Sequence, residues 1–188
     1  MKNYLLLFLA SAFLLFSNIW GQPLYILDEA KNATCAREML ESGNPIVPTF
    51  NFSLRTDKPP LHYYFMMLSY SAFGVNEFAA RFFSSVFGIL TVLITYGFSR
   101  RYLSEAAALW AAVALLSSLH YNLQFHFSVP DPYLIFFLTL AFFSFFAAIK
   151  DSQPKLFYFF YAALALGTLS KGRVAIALPG FVLLIYLF

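Results

Sequence analysis

Long apolar runs separated by short polar breaks dominate the chain. An α-helix needs about 20 apolar residues to cross the hydrocarbon core of a membrane, and six runs approach or reach that length. They predict spans at about residues 4–20, 79–99, 106–127, 132–149, 156–169 and 174–188. The last run is still apolar where the sequence stops, so we expect residues 1–188 to be the N-terminal part of a longer multi-span membrane domain.

The composition agrees with a membrane protein. Hydrophobic residues make up 61% of the chain and charged residues 11%, whereas a soluble domain has about 25% charged residues. The predicted fold class is therefore all-α, a polytopic bundle of transmembrane helices. Residues 1–20 also fit a cleaved signal peptide, because they combine a basic start with a short apolar core. The further spans favour an uncleaved first helix.

Charge and cysteine content exclude two classes of function. A net charge of +3 would suggest nucleic acid in a soluble protein, but the basic residues are scattered between apolar runs and form no cluster. We therefore predict no nucleic-acid partner. Cys35 is the only cysteine, so the chain has no internal disulfide and no cysteine-based metal motif.

The one long polar insertion, residues 21–60, predicts an extracytoplasmic loop over residues 21–78 that carries two amphipathic juxtamembrane helices. The first covers Asp28–Ser42, because two acids open it where the helix dipole favours negative charge and Gly43 follows it as a stop. The second, Leu61–Phe73, begins directly after two prolines. We expect both helices to lie along the membrane surface. The alternative is that 61–73 is a short span, which would put the acids on opposite sides.

Counting spans predicts which residues share a side. With a cytoplasmic N-terminus, Arg100, Arg101, Lys150 and Lys155 fall in short inner loops, as the positive-inside rule expects. All Lys and Arg residues together number five inside and seven outside of the 12, but long translocated loops follow that rule poorly. The count then predicts that four carboxylates share the outer side: Asp28, Glu29, Asp57 and Asp131.

Each outer charge has a structural alternative. Asp28 and Asp131 suit helix N-caps, whereas a carboxylate just outside a membrane also suits a general base. Lys58, which two prolines follow, is a simple loop residue or a point charge that meets a lipid phosphate. Lys171 and Arg173 would contact either lipid headgroups or the phosphate of a ligand.

Several short motifs follow one another in a characteristic order. They are Asp28-Glu29, Ser42-Gly43, Val47-Pro48, Asp57-Lys58-Pro59-Pro60-Leu61, Phe73-Gly74, Asp131-Pro132 and Ser170-Lys171-Gly172. Together they resemble the polyprenyl-phosphate-sugar glycosyltransferases of GT-C type. Within that group the likeness is to the bacterial aminoarabinose transferases of lipid A modification and to the protein O-mannosyltransferases, and it extends from Leu24 onward.

The resemblance implies an enzyme that transfers a sugar, with inversion, from a polyprenyl-phosphate donor to an acceptor hydroxyl. The acceptor would be lipid A, another glycolipid or a protein. The implied location is the bacterial inner membrane, among membrane lipids, with the active site on the periplasmic side. By motif position Asp28 would be the base that activates the acceptor, and Glu29 and Asp131 would be catalytic carboxylates beside it.

The resemblance also implies how the donor is held. Lys58 would neutralise the donor phosphate, with Lys31, Lys171 and Arg173 as further phosphate-binding residues. Asp57 stands in the place of an acid that can join a metal site in the aminoarabinose branch. Other ligands would lie beyond the sequence, so a divalent-metal cofactor is left open.

Two other classes of function compete with this hypothesis. A membrane transporter or flippase for a lipid-linked or small polar substrate would have functional polar groups near the middle of the bilayer and broken spans. An inert anchor or assembly subunit would use the acids only as helix caps.

Overall fold

The fold is a bundle of helices, as predicted. A computed structural model describes residues 2–25 and 27–187, and within them nine helices and one short β-hairpin. In chain order these are α1 (Lys2–Phe16), α2 (Asp28–Ser42), β1 (Thr49–Phe50), β2 (Ser53–Leu54), α3 (Leu61–Phe73), α4 (Glu77–Tyr102), α5 (Glu105–Ser117), α6 (Leu119–His126), α7 (Asp131–Lys150), α8 (Leu156–Lys171) and α9 (Val174–Leu187).

The predicted spans correspond to helices of unequal length. Helices α4 and α7 are each long and apolar enough to cross a membrane, and α5 with α6 makes a third candidate if the two count as one span. Helices α1, α8 and α9 are apolar but shorter. The helix pattern therefore matches the expected polytopic bundle, with α4 packed against α1, α3, α5, α6 and α7.

A close approach of three helices forms the centre of the bundle. Gly88 on α4 faces α1 and α6, and a Cβ added there would lie 2.7 Å from Leu15 and 2.8 Å from Phe125. The Ser85 hydroxyl, on the same helix, donates to the carbonyl of Leu15 at 2.7 Å. A glycine is needed at this position because any side chain would push the helices apart.

The predicted third span, 106–127, is not one continuous helix. It bends by 63° between α5 and α6, where Ser118 adopts an extended backbone conformation. The Asn122 amide donates to carbonyls at the end of α5, including that of Ser118 at 2.9 Å. The His126 ring lies 3.1 Å from the carbonyl of Ser17. The Asn122 amide thus satisfies backbone carbonyls that the break leaves unpaired, and His126 connects α6 to the segment after α1.

The two loop helices have the predicted bounds, Asp28–Ser42 and Leu61–Phe73. Gly43 ends α2 in the left-handed conformation, with φ of 65°. Helix α3 has 13 residues and is therefore about 20 Å long, short of the ~30 Å of a hydrocarbon core. It stacks Phe65 on Tyr133 at the start of α7, with ring centroids 5.3 Å apart. Helix α9 has only 14 residues, so length does not separate α3 from the shorter apolar helices, and the assignment of residues 61–73 to the loop stays a prediction.

A hairpin that the sequence analysis did not anticipate connects the two loop helices. Its turn places Asn51 and Phe52 at positive φ, 51° and 61°, which is typical of a tight two-residue hairpin. The buried Glu38 on α2 accepts from the Thr49 hydroxyl at 2.6 Å and from the Phe52 amide at 3.2 Å. A single carboxylate therefore fixes the hairpin on α2.

Ion pairs mark the two ends of the bundle. At one end Glu105 pairs with Arg100 at 2.6 Å and accepts from Asn3 at 2.6 Å, while Arg101 pairs with Asp151 at 2.9 Å. We call this the Arg100 end; it contains the start of α1, the α4–α5 turn and the α7–α8 turn. The opposite end, with α2, α3, the start of α4 and the α6–α7 linker, is called the Glu29 end.

Candidate active site

Asp28 is presented to solvent at the start of α2. The residue in the N-cap position is Leu27, and the helix has no side-chain cap. Asp28 is exposed, and none of the six ion pairs within residues 2–25 and 27–187 includes it. The capping alternative is thus not what the structure shows, and the Asp28 carboxylate is accessible to a ligand.

Glu29, the next residue, is in the opposite situation. Its side chain is 1% exposed and forms a bidentate ion pair with Arg81 of α4, with Nε–Oε1 at 2.7 Å and Nη2–Oε2 at 2.8 Å. The same carboxylate accepts from the backbone amides of Tyr25 at 2.7 Å and Ser128 at 2.9 Å, and from the Ser128 hydroxyl at 3.2 Å. Its oxygens are therefore fully used by the protein.

These contacts decide the charge of Glu29. Burial alone would raise the pKa of its carboxyl group, but the hydrogen bonds from Arg81, Tyr25 and Ser128 together outweigh burial and hold the pKa below its ordinary value. Hydrogen bonds and a nearby positive charge favour the ionised form. Glu29 is therefore a buried, ionised carboxylate with no lone pair directed at solvent.

Asp131 opens α7 and lies three residues after Ser128, whose amide and hydroxyl bond to Glu29. The N-cap position is held by Pro130, without a side-chain cap, and the Asp131 carboxylate forms an ion pair with Lys171 at the end of α8. Both side chains are about one-third exposed. The α6–α7 linker that leads into Asp131 is attached to α2, because Asn32 donates to the carbonyl of Ser128 at 3.4 Å.

The loop before α3 contains a second paired acid. Asp57 pairs with Arg55 through both oxygens, at 2.6 and 3.2 Å, and the hydrogen bond from Arg55 lowers the pKa of Asp57. Arg55 also donates to the buried Cys35 thiol at 3.3 Å. The neighbouring Lys58 is half-buried, and among the described residues Asp57 forms its ion pair with Arg55 and not with Lys58.

The fit of a divalent metal to Asp57 can be judged from these contacts. Both Asp57 oxygens are already occupied by a guanidinium, and the described residues contain no group of three His, Cys, Asp or Glu side chains that could hold a metal. The described part of the chain therefore does not fit a metal ion by itself.

The predicted site residues lie at the Glu29 end, and Asp131 and Lys171 are in direct contact there. A Cβ added to Gly172 would lie 3.9 Å from Cγ of Pro59, which puts the chain around Lys58 beside the end of α8 that carries Lys171. The ion pair of Lys171 with Asp131 and the bonds between Glu29 and Ser128 complete the connection. Lys31 and Arg173 are exposed and have no such contact among the described residues.

Sequence reasoning gave no role to Arg81 or Arg55, which hold two of the predicted acids. Arg81 had a detectable signal, since a charge near the start of an apolar run is costly in a membrane unless it is paired. Arg55 lies in a polar loop and has no comparable signal.

A comparison with protein families identifies the chain. Residues 57–188 match the model for dolichyl-phosphate-mannose-protein mannosyltransferases. The chain belongs to this family. It is accordingly an integral membrane protein of the GT-C glycosyltransferase type, as the order of motifs indicated.

Similar proteins come from several bacteria. An uncharacterized protein of Aquifex aeolicus is 31% identical over 100% of this chain and 38% of its own length. The undecaprenyl phosphate-alpha-4-amino-4-deoxy-L-arabinose arabinosyl transferase of Shewanella sediminis is 34% identical over 84% of this chain and 30% of its own length. The chain thus spans about a third of the length of the relatives it matches.

A solved structure shares the fold. The crystal structure of ArnT from Cupriavidus metallidurans bound to undecaprenyl phosphate superposes with a TM-score of 0.91 at 26% identity, over 99% of this chain and 36% of that chain. The all-α membrane fold is therefore confirmed over nearly the whole length of the sequence.

Proposed function

We propose that the protein to which this chain belongs transfers a sugar from a polyprenyl-phosphate carrier to an acceptor hydroxyl. The observation that supports this most strongly is the shared fold with ArnT bound to undecaprenyl phosphate, together with the gathering of acids and lysines at one end of the bundle. The acceptor class is a lipid, with lipid A as the first candidate because curated relatives are aminoarabinosyl transferases.

The chemistry fits the residues present. A sugar phosphodiester has a good leaving group, so the main requirement is fixed positive charge where negative charge grows on the phosphate. Lys58 would supply it, and Lys31, Lys171 and Arg173 are further candidates around the same end. The acceptor hydroxyl needs one carboxylate to take its proton. Asp28 is exposed and forms no ion pair among the described residues, which suits this role.

Asp131 would act through its ion pair with Lys171 in this proposal. A lysine point charge contacts phosphate readily, and a carboxylate partner would hold it in position. A divalent metal at Asp57 stays a separate expectation, since it would require Asp57 to leave Arg55 and would need ligands from elsewhere in the protein.

The experiment uses the full-length protein and a radiolabelled polyprenyl-phosphate sugar, with label followed into lipid and protein fractions. The variant Asp28→Asn should reduce transfer to background while membrane insertion is retained. Glu41→Gln is the matched control, because Glu41 is an exposed acid at the other end of the same helix with only a 3.7 Å contact to Arg37. Transfer by Asp28→Asn at the level of the control would overturn the assignment.

We further propose that the Glu29 end faces the periplasm of a bacterial inner membrane. Support comes from the short loops at the Arg100 end, which carry Lys150 and Lys155 as the positive-inside rule expects. Cysteines introduced at Ile46 and Gln153, both exposed, test the orientation in intact cells. A membrane-impermeant maleimide should label Ile46→Cys directly and Gln153→Cys only after permeabilisation; the reverse pattern would contradict the proposal.

A transporter is the alternative that one observation favours, namely the 63° break between α5 and α6. The polar residues there, however, satisfy the backbone of the break, as Asn122 does for the end of α5. The transfer assay separates the two classes. Uptake or flipping of the labelled lipid without any transfer of sugar would favour transport.

A further inference from the structure

We infer that Glu29 and Arg81 form a positioning pair that orients Asp28 and Asp131, and that Glu29 is not itself a base. This inference rests on the proposed function, because it assigns the adjacent acids of the same site to different roles. It also revises the expectation from motif position that Glu29 is one of the catalytic carboxylates.

Arg81 has no N–H group left to donate to a substrate. Besides its two bonds to Glu29, Nη1 donates to the carbonyls of Ile19 and Gln22, both at 2.9 Å, and Nη2 donates to that of Pro23 at 3.1 Å. A guanidinium has five N–H groups, and these five bonds use all of them. Arg81 is 4% exposed, so it is not a ligand of the donor phosphate.

The Glu29 carboxylate cannot reach an acceptor hydroxyl. A general base must lie within hydrogen-bond distance of the proton it takes. Five donors from Arg81, Tyr25 and Ser128 already surround the buried Glu29 carboxylate. Opening any of them would leave a buried donor unpaired, which is energetically unfavourable.

The Glu29–Arg81 pair joins four segments of the chain. Its bonds connect the segment after α1, the start of α2, the start of α4 and the α6–α7 linker. Asp28 is the residue before Glu29, and Asp131 follows Ser128 by three positions. The pair thus fixes the backbone at both candidate acids, although these lie about 100 residues apart in sequence.

The backbone just before Asp28 also depends on this support. Leu27 has φ of 95° and ψ of −104°, a conformation that is strained for a non-glycine residue and persists only where the surroundings impose it. The bond from the Tyr25 amide to Glu29 spans this residue. Without the pair, the strained segment would relax and move Asp28.

A double-mutant cycle on the full-length protein tests the inference, with Glu29→Gln, Arg81→Gln and the double variant measured for kcat and for donor KM. A small displacement of a reacting group can cost about 100-fold in rate. We expect each single variant to lose kcat by about that factor with little change in donor KM. The double variant should be no slower than either single variant, because each single change leaves a buried charge unpaired.

Other outcomes overturn the inference. If Glu29 were the base, Glu29→Gln would be as inactive as Asp28→Asn, Arg81→Gln would be much more active, and the acidic limb of the pH profile would disappear from the residual activity of Glu29→Gln. With a positioning role, that limb stays where it is in the wild type.

A milder variant covers the case in which the single variants do not fold. Ser128→Ala removes only the hydroxyl bond to Glu29 and keeps the backbone amide bond, so the protein should fold and lose kcat by a few-fold. Unchanged kcat in folded Ser128→Ala, when the singles fail to fold, would reject the positioning role. Absence of transfer by the wild type would instead refute the proposed function, whereas wild-type transfer with an additive cycle would refute only this inference.

Discussion

The Glu29 end and the Arg100 end both contain arginine–carboxylate pairs, but they differ in burial. The side chains of Arg81 and Glu29 are 5% and 1% exposed, whereas the side chains of Arg100 and Glu105 are 47% and 44% exposed. Breaking a buried pair leaves an unpaired charge and costs about 3–5 kcal/mol, while exposed pairs contribute about 0–1 kcal/mol. The pairs at the Arg100 end are therefore surface contacts, whereas the buried pair at the Glu29 end determines local structure.

The largest effect on stability is expected from a substitution that breaks the buried Arg81–Glu29 pair. Arg81→Gln should lower the free energy of unfolding by about 3–5 kcal/mol, because Glu29 would stay buried without its cation. Denaturant titration of the detergent-solubilised full-length protein measures this change. A loss below about 1 kcal/mol would show that the buried pair contributes no more to stability than the exposed pairs at the Arg100 end.

A pH-dependent loss of stability at the Glu29 end is expected to be intermediate in size. His62 at the start of α3 is fully buried with neither ring nitrogen partnered among the described residues, and burial lowers its pKa to about 3 from 6.5. In the unfolded chain His62 binds a proton as the pH falls below 6.5, whereas in the folded chain it stays neutral. Stability should therefore fall between pH 6.5 and 4.5, by roughly 1–3 kcal/mol.

The variant His62→Phe provides the control for this effect. A phenyl ring of similar shape has no titratable nitrogen, so its stability should be nearly flat over the same pH window. Unfolding measurements at pH 6.5, 5.5 and 4.5 compare the two proteins. The window stops at 4.5, since below that value the lowered pKa of Glu29 also contributes a loss of stability. Parallel curves for the two proteins would show that His62 is not the cause.

The smallest expected effect is at the Arg100 end. Arg101→Gln removes a pair in which Arg101 is 61% exposed, so stability should change by about 0–1 kcal/mol. The same denaturant titration as for Arg81→Gln gives a direct comparison. A loss as large as that of Arg81→Gln would mean that exposure does not decide the strength of these pairs.

The helix bounds in the loop were predictable because their signals are local. Two acids and Gly43 specify where α2 begins and ends, the prolines before Leu61 and the glycine after Phe73 do the same for α3, and the structure has the predicted bounds. The break at Ser118 was not predicted, because residues 106–127 are long enough for one span and the polar residues that alternate from His120 to His126 do not mark where a helix ends. Only the placement of Asn122 in three dimensions shows how the backbone at the break is satisfied.

The sequence by itself determined that this is an all-helical membrane protein with charged residues gathered between its apolar runs, because hydrophobicity and helix signals act over a few neighbouring residues. It also carried the order of motifs that marks the family. Only the tertiary structure decided that Glu29 is buried against Arg81 and Ser128 while Asp28, one position earlier, is exposed. The reason is that pairing across 52 and 99 positions of sequence depends on how the helices pack, which no local pattern encodes.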